Sequence, residues 1–218
     1  FRESLRDHKM DDLAEEFHIA SGKFQVIQKK EEIESYLRTP GFGGYHLLQL
    51  NDFPGQGTAP VGVVDQFWDP KSYTTADEFR SFESACVPLL RTNSFTWTND
   101  QTFEADIEFA NFGDKPLAAV TVTYTLQFPD GKILRHGSFK KISIPLGSPI
   151  KLGSLSVVLN EIQQATRLFL TVQVQGTAYK NHWHIWVYPE EVPGVKMQQT
   201  EIAYSWNDTV KQKLMQGA

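Results

Sequence analysis

The hydrophobic pattern of this chain changes period once, and that change limits what it can fold into. From about Phe95 to Tyr188 the apolar residues recur at every second position. Phe103, Ala105, Ile107 and Phe109 alternate with Glu104, Asp106 and Glu108. Val120, Val122, Tyr124 and Leu126 alternate with threonines and Gln127, and Leu168, Leu170, Val172 and Val174 repeat the pattern. Alternation of this kind marks antiparallel strands buried on one face. Pro129-Asp130-Gly131 reads as a hairpin turn, because proline presets φ and glycine accepts a positive φ. Asn111-Phe112-Gly113-Asp114 reads as a second turn. About seven strands over roughly 95 residues predict an immunoglobulin-like sandwich.

Ahead of this region the period is helical. Leu5, Met10, Leu13, Phe17 and Ile19 fall near helical spacing, and Gly22 is expected to end that helix. A second helix is predicted over about Gln28–Leu37, with Ile33, Tyr36 and Leu37 as its buried stripe and Thr39-Pro40-Gly41 as its stop. Then Gly43-Gly44-Tyr45-His46-Leu47-Leu48-Gln49-Leu50-Asn51-Asp52 reads as a short buried strand, with the polar loop Pro54-Gly55-Gln56-Gly57 after it. Helix, strand and loop in that order form the unit of an α/β barrel. A third helix is expected from Thr75, which has capping-box spacing to Glu78; Phe79 and Phe82 share one side, and Pro88 is the expected end. Beyond Pro189, Pro193-Gly194 reads as a linker and Thr209–Met215 as an amphipathic helix. The fold class expected is α+β: mainly a β immunoglobulin-like sandwich, preceded by a helical and partial (β/α) barrel segment. The divisions expected are 1–90 for the incomplete barrel, 91–190 for the sandwich, and 191–218 for a linker and the first helix of a following domain.

Composition removes several functions. The 218 residues carry a net charge of −5, and lysines and arginines never run longer than two. Nucleic acid is not an expected partner, because phosphate binding needs a basic face. No apolar stretch approaches the roughly 20 residues of a membrane helix. The single cysteine, Cys86, excludes an internal disulfide and reads as a small buried hydrophobe near a helix end. Phe1-Arg2-Glu3 does not resemble a natural start, and the last helix runs to the final residues, so a piece of a longer polypeptide is expected.

The segment with the most chemical content is Asp52-Phe53-Pro54-Gly55-Gln56-Gly57-Thr58, continued by Val63-Val64-Asp65-Gln66-Phe67-Trp68. Glycines, a proline and polar side chains at the mouth of a barrel strand suit a ligand-facing loop; a tight structural loop would also need the glycines. Gln49 and Asn51 share one strand face, with Asp52 and Gln56 just beyond it. Amides and carboxylates match sugar hydroxyls, which both donate and accept. Each could instead bond loop backbone. Trp68 could stack on a sugar or pack in the core. His182 and His184 share a strand face but lack a third ligand, so no metal is expected.

The Gly43-to-Trp68 stretch, together with the barrel-then-sandwich order, resembles family 2 glycoside hydrolases of the β-galactosidase and β-glucuronidase type. It is closest to large multidomain members from gut polysaccharide-degrading bacteria. There a Gly-Gly-aromatic start opens the eighth barrel strand, and D-F-P-G-Q-G-T and V-D-x-F-W segments follow it. The resemblance implies hydrolysis of β-linked glycans with retention, by two glutamates about 5–5.5 Å apart. Those glutamates follow earlier barrel strands, so no catalytic residue is expected in this chain. Glu15, Glu16, Glu31, Glu32 and Glu34 read as exposed helix residues. Where the family often has a tryptophan on this strand, the chain has Leu47 and Gln49. The resemblance further implies carbohydrate and the remaining domains of the same polypeptide as partners, no cofactor, and a secreted or periplasmic location. The substrate-binding candidates are thus Gln49, Asn51, Asp52, Gln56 and Trp68.

Two readings from other classes stand beside it: a stand-alone carbohydrate-binding module, and a structural spacer. A stand-alone binding module has no need of residues 1–70. A lone barrel strand cannot bury both faces, so this region is expected to dock on the sandwich through Phe53, Phe67, Trp68 and Phe79.

Overall fold

A computed structural model describes residues 2–55, 60–191 and 203–216. It opens with helix α1 (Arg2–Asp7), a 3-10 turn (Asp11–Leu13), helix α2 (Ala14–Leu37) and the short helix α3 (Ala76–Arg80). Eight strands follow among the described residues: β1 (Cys86–Thr92), β2 (Thr96–Thr98), β3 (Thr102–Asn111), β4 (Leu117–Gln127), β5 (Ile133–Ile144), β6 (Gly147–Val158), β7 (Thr166–Val174) and β8 (Lys180–Tyr188). Helix α4 (Asp208–Met215) comes last, capped by the Asn207 side chain, which accepts from Val210 N at 3.0 Å.

The strands form two sheets, in the orders β1-β3-β6 and β2-β8-β7-β4-β5. All pairs are antiparallel except β2 with β8. The alternation read from the sequence sets the inner faces. Phe103, Ile107 and Phe109 from one sheet and Val122, Leu126, Leu168, Leu170, Val172 and Val174 from the other are fully buried in one core. The Pro129-Asp130-Gly131 hairpin forms between β4 and β5; Gly131 has φ of 87°, and Phe128 N donates to Lys132 O at 2.8 Å. The molecule is thus mainly a β-sandwich with a few helices.

Strand β1 is buried on both faces. Cys86 and Leu90 point into the sandwich core, while Val87 and Leu89 belong to a second core with Val26, Ile33 and Leu37 of α2, Phe79 and Phe82. Pro88 does not end a helix, as the sequence suggested. It lies within β1, an edge strand, where the missing N–H removes no ladder bond on the open side. Cys86 likewise opens a strand rather than ending a helix, and it is buried. Helix α3 starts where expected, with Thr75 Oγ1 accepting from Glu78 N at 3.1 Å, and stops at Arg80.

Three other expectations are corrected. Gly22 does not end a helix: it lies inside α2, which runs 24 residues from Ala14 to Leu37. The Tyr73 ring lies against Gly22 so closely that an added Cβ would sit 2.2–2.5 Å from it. The glycine is there for packing, and its helix penalty of about 1 kcal/mol is offset by that contact. Secondly, Glu34 is not exposed but completely buried. Thirdly, the strand expected over Gly43–Asp52 does not form, and no barrel segment is seen. Its one bridge joins Asn51 to Val64, with Val63 N and Val64 N both donating to Leu50 O, at 2.9 and 3.2 Å. Backbone becomes strand only where a neighbour takes its N–H and C=O groups. Exposure still alternates here: Tyr45, Leu47 and Gln49 are half-buried, Tyr45 and Leu47 against the core that includes α2, while His46, Leu48 and Leu50 are exposed.

Candidate functional site

The candidate site is the segment from Tyr45 to Tyr73, which lies over α2 and is held by side chains that bond its main chain. Tyr73 Oη donates to Gly62 O at 2.6 Å, Gln25 Nε2 to Val61 O at 2.6 Å, Lys29 Nζ to Val61 O at 3.1 Å and Lys71 Nζ to Pro60 O at 3.2 Å. Burial, together with the Asp52 carboxylate, pushes the Tyr73 hydroxyl up from its usual range. Burial also lowers the Lys29 amine, reinforced by Lys71 and opposed by Asp52. Tyr45 donates to Glu83 at 3.0 Å; burial first, then that carboxylate, holds the phenol well above its ordinary value. Burial raises the Glu83 carboxyl, against the effect of the tyrosine's hydrogen bond.

The sequence candidates fall into different places. Asp52 Oδ1 accepts from Gly62 N at 2.9 Å and from Lys71 Nζ at 2.5 Å, in a pair whose side chains are largely buried. It closes the base of the loop. Asn51 bridges to Val64, and its amide donates to Asp52 O at 3.1 Å. Both are therefore engaged with backbone. Gln49 is half-buried. Gln56 lies outside the described residues. Trp68 is 63% exposed with φ of 71°, in a turn where Asp65 Oδ1 accepts from Phe67 N and Asp69 N at 2.7 and 3.0 Å. The structure joins Asn51 and Asp52 to Gly62–Val64 and Lys71, and among the described residues the Gln49 and Trp68 side chains make no hydrogen bond to that group.

The expected docking residues are also corrected. Phe79 is buried, but Phe53, Phe67 and Trp68 are 48, 73 and 63% exposed. The helical region instead meets the sandwich through a buried polar junction. Glu34 Oε2 accepts from Trp183 Nε1 at 2.9 Å and from Arg38 Nη1 at 3.3 Å; Glu34 Oε1 accepts from Asn181 Nδ2 at 2.7 Å and from Lys30 Nζ. Asn181 also donates to Pro88 O at 2.9 Å and accepts from Lys30 Nζ at 2.9 Å, and Arg38 donates to Leu90 O at 3.0 Å. Lys30 lies 4.7 Å from the Trp183 ring centre. Its burial lowers the amine's pKa, opposed by Glu34. The spacing of four between Lys30, Glu34 and Arg38 was the one signal in the sequence for this cluster; nothing there marked Asn181 or Trp183.

Gly62 offers a direct test of the loop base. An added Cβ would lie 2.4–2.6 Å from main-chain atoms of Asn51 and Asp52. Backbone cannot rotate away as a side-chain tip can, so Gly62→Ala is expected to lower stability by about 1–3 kcal/mol. The urea midpoint measures it, and an unchanged midpoint would mean that the loop base is not packed as described.

No group of three or more His, Cys, Asp or Glu among the described residues could hold a metal ion. No described helix is long and apolar enough to cross a membrane. Residues 101–189 match the model of a domain of unknown function, DUF8488. No curated protein matches the chain. Among solved structures the chain is similar to the Amycolatopsis orientalis exo-chitosanase CsxA in complex with PNP-β-D-glucosamine. That match has a TM-score of 0.51 at 13% identity, and covers 74% of this chain and 18% of that one. A second crystal structure of the same exo-chitosanase gives 0.51 at 12%, covering 81% and 20%. The chain spans about a fifth of the length of the exo-chitosanase, and what the two share is a fold at low identity, a mainly-β sandwich with helices.

Proposed function

We propose that this chain is part of a retaining glycoside hydrolase acting on β-linked glycans, with residues 1–90 closing the catalytic barrel, 91–190 forming an immunoglobulin-like buttress and 191–218 leading into a further domain. The observation that carries this reading is the reach of the likeness to the exo-chitosanase. Positions 86–218 are 133 of 218 residues, about 61%, so a match covering 74–81% takes in residues ahead of the first strand. A sandwich module alone would not produce it. Exposed apolar side chains in the N-terminal region support the same reading: Leu48, Phe24, Ile27, Phe53, Phe67 and Trp68 all lie open. Exposed apolar surface on this scale marks a face that meets a partner, and the remaining barrel of the same polypeptide is that partner. A stand-alone carbohydrate-binding module leaves this face unexplained.

On this reading the catalytic glutamates lie elsewhere in the polypeptide, and the chemistry needs no cofactor. Gln49 and Trp68 remain the sugar-facing candidates. Glycan and the other domains are the partners, and the location is secreted or periplasmic. The test is the reading frame upstream of Phe1. A polypeptide extended through it is expected to cleave a p-nitrophenyl β-glycoside with retention, read by NMR of the first-formed anomer, while the chain alone stays silent. A frame that opens within a few residues of Phe1, or cleavage by the chain alone, would overturn the proposal.

A further inference from the structure

The charge of the chain is unevenly placed. Strands β2, β4, β5, β7 and β8 have 3, 11, 12, 9 and 9 residues, 44 in all, and contain no aspartate or glutamate. In proportion to 26 acidic residues in 218, about five would be expected. Five of the 44 are lysine or arginine and three are histidine. The facing sheet differs: β3 alone carries Glu104, Asp106 and Glu108.

The outer face of the five-stranded sheet also carries aromatic rings in adjoining rows. Phe169 stands opposite His184, and Arg167 opposite Trp186, with Gln127 beside Phe169 on the next strand. Ring centres lie 5.3 Å apart for Phe169 and His184, 5.7 Å for His184 and Trp186, and 4.9 Å for Phe169 and His182. All four rings are partly exposed. Arg167 and Lys180 are exposed and form no ion pair among the described residues. The carboxylate that acts on His182 and His184 most strongly is Glu78 of α3, at the edge of the face. The helical core packs on Val87 and Leu89 of β1 and Ala110 of β3, in the other sheet.

We propose that the outer face of the five-stranded sheet binds a uronate-bearing glycan, the Phe169–His184–Trp186 rings taking the C–H faces of the sugars and Arg167 and Lys180 their carboxylates. Charge complementarity argues for this occupant. Exposed Arg167 and Lys180, on strands that carry no aspartate or glutamate, attract an anionic polymer, and a guanidinium fork matches a carboxylate in two parallel bonds. Aromatic rings give apolar contact without cost in flexibility, and Gln127 adds donor and acceptor capacity for hydroxyls. The proposal takes only the class of ligand, a glycan, from the glycosidase reading; the rest comes from the face.

Affinity electrophoresis of the chain through gels with polygalacturonate, or with neutral hydroxyethylcellulose, tests it. Retardation is expected in the first gel and not in the second, weakening as salt is raised. Arg167→Gln with Lys180→Gln, both at exposed positions, is expected to weaken binding at least tenfold with unchanged thermal unfolding. Trp186→Ala is expected to remove binding, with near-UV circular dichroism reporting the fold. Equal retardation by the neutral polymer, or unchanged binding in the double variant, would overturn the proposal. Binding to polyglutamate, single-stranded DNA or a sulfated glycan as tight as to polygalacturonate would overturn the choice of ligand. An absence of retardation in every gel sinks this inference alone, since the glycosidase reading is decided by the upstream frame.

Discussion

Glu34→Ala is expected to lower the stability of the chain by about 3–5 kcal/mol, the range found when one partner of a buried ion pair is removed. Glu34 is completely buried and accepts from Lys30, Arg38, Asn181 and Trp183. Alanine would leave the Trp183 indole N–H without its acceptor. It would also leave Lys30 with Asn181 Oδ1 as its one hydrogen-bond acceptor among the described residues. The Lys30 side chain is only 13% exposed, so water cannot take over. The size of the effect comes from these stranded donors rather than from the attraction lost. A double replacement, Lys30→Met with Glu34→Leu, is therefore expected to recover part of the loss, because it removes both ends of the imbalance. Urea midpoints of the three proteins measure this. A Glu34→Ala midpoint within experimental error of the parent would show that the junction does not hold the helix on the sandwich.

Phe82→Ala should have an effect of similar size and a different signature. Phe82 is fully buried, stacks obliquely on Phe79 with ring centres 4.9 Å apart, and sits in the core shared by α2, α3 and the outer face of β1. Emptying a phenylalanine site costs about 3–5 kcal/mol. The sandwich has its own closed core, to which Phe82 does not belong. Amide exchange should therefore quicken in α2 while β4 and β7 stay protected. Phe103→Ala, placed in the sandwich core, should release both. Equal loss of protection in α2 and β7 on Phe82→Ala would show that the two cores melt as one.

The sandwich was legible because its strands are half-buried, and half-burial writes a period of two into the residues. Phe103 to Phe109 and Leu168 to Val174 could be placed from that alone. Thr75 was legible because a cap is a local event. Gly22 was not, since the reason for it is the ring of Tyr73, 51 positions away in the chain. Glu34 was misjudged for the same reason: besides Lys30 and Arg38 of its own helix, its partners are Asn181 and Trp183, on the last strand. For Leu47 to Asn51 the period of two was present and the strand was not, because periodicity describes faces and a strand needs a neighbour. In the candidate site, Asp52 reads from the sequence as a sugar-binding residue. Its partners, Gly62 and Lys71, show it closing the loop, and Trp68 stands away from it in a turn of its own.

Main-chain carbonyl oxygens are the atoms gripped at these contacts: Pro60, Val61 and Gly62 in the loop by Lys71, Gln25, Lys29 and Tyr73, Leu90 in β1 by Arg38 of α2, and Pro88 in β1 by Asn181 of β8. A carbonyl is the same whatever residue bears it. Substitutions that alter only the side chain at Val61 or Pro60 thus leave the gripping atoms in place, whereas Gln25, Lys29, Lys71, Tyr73 and Asn181 cannot drift without losing their hold. Related chains should accordingly tolerate variety in what is held and little in what holds it.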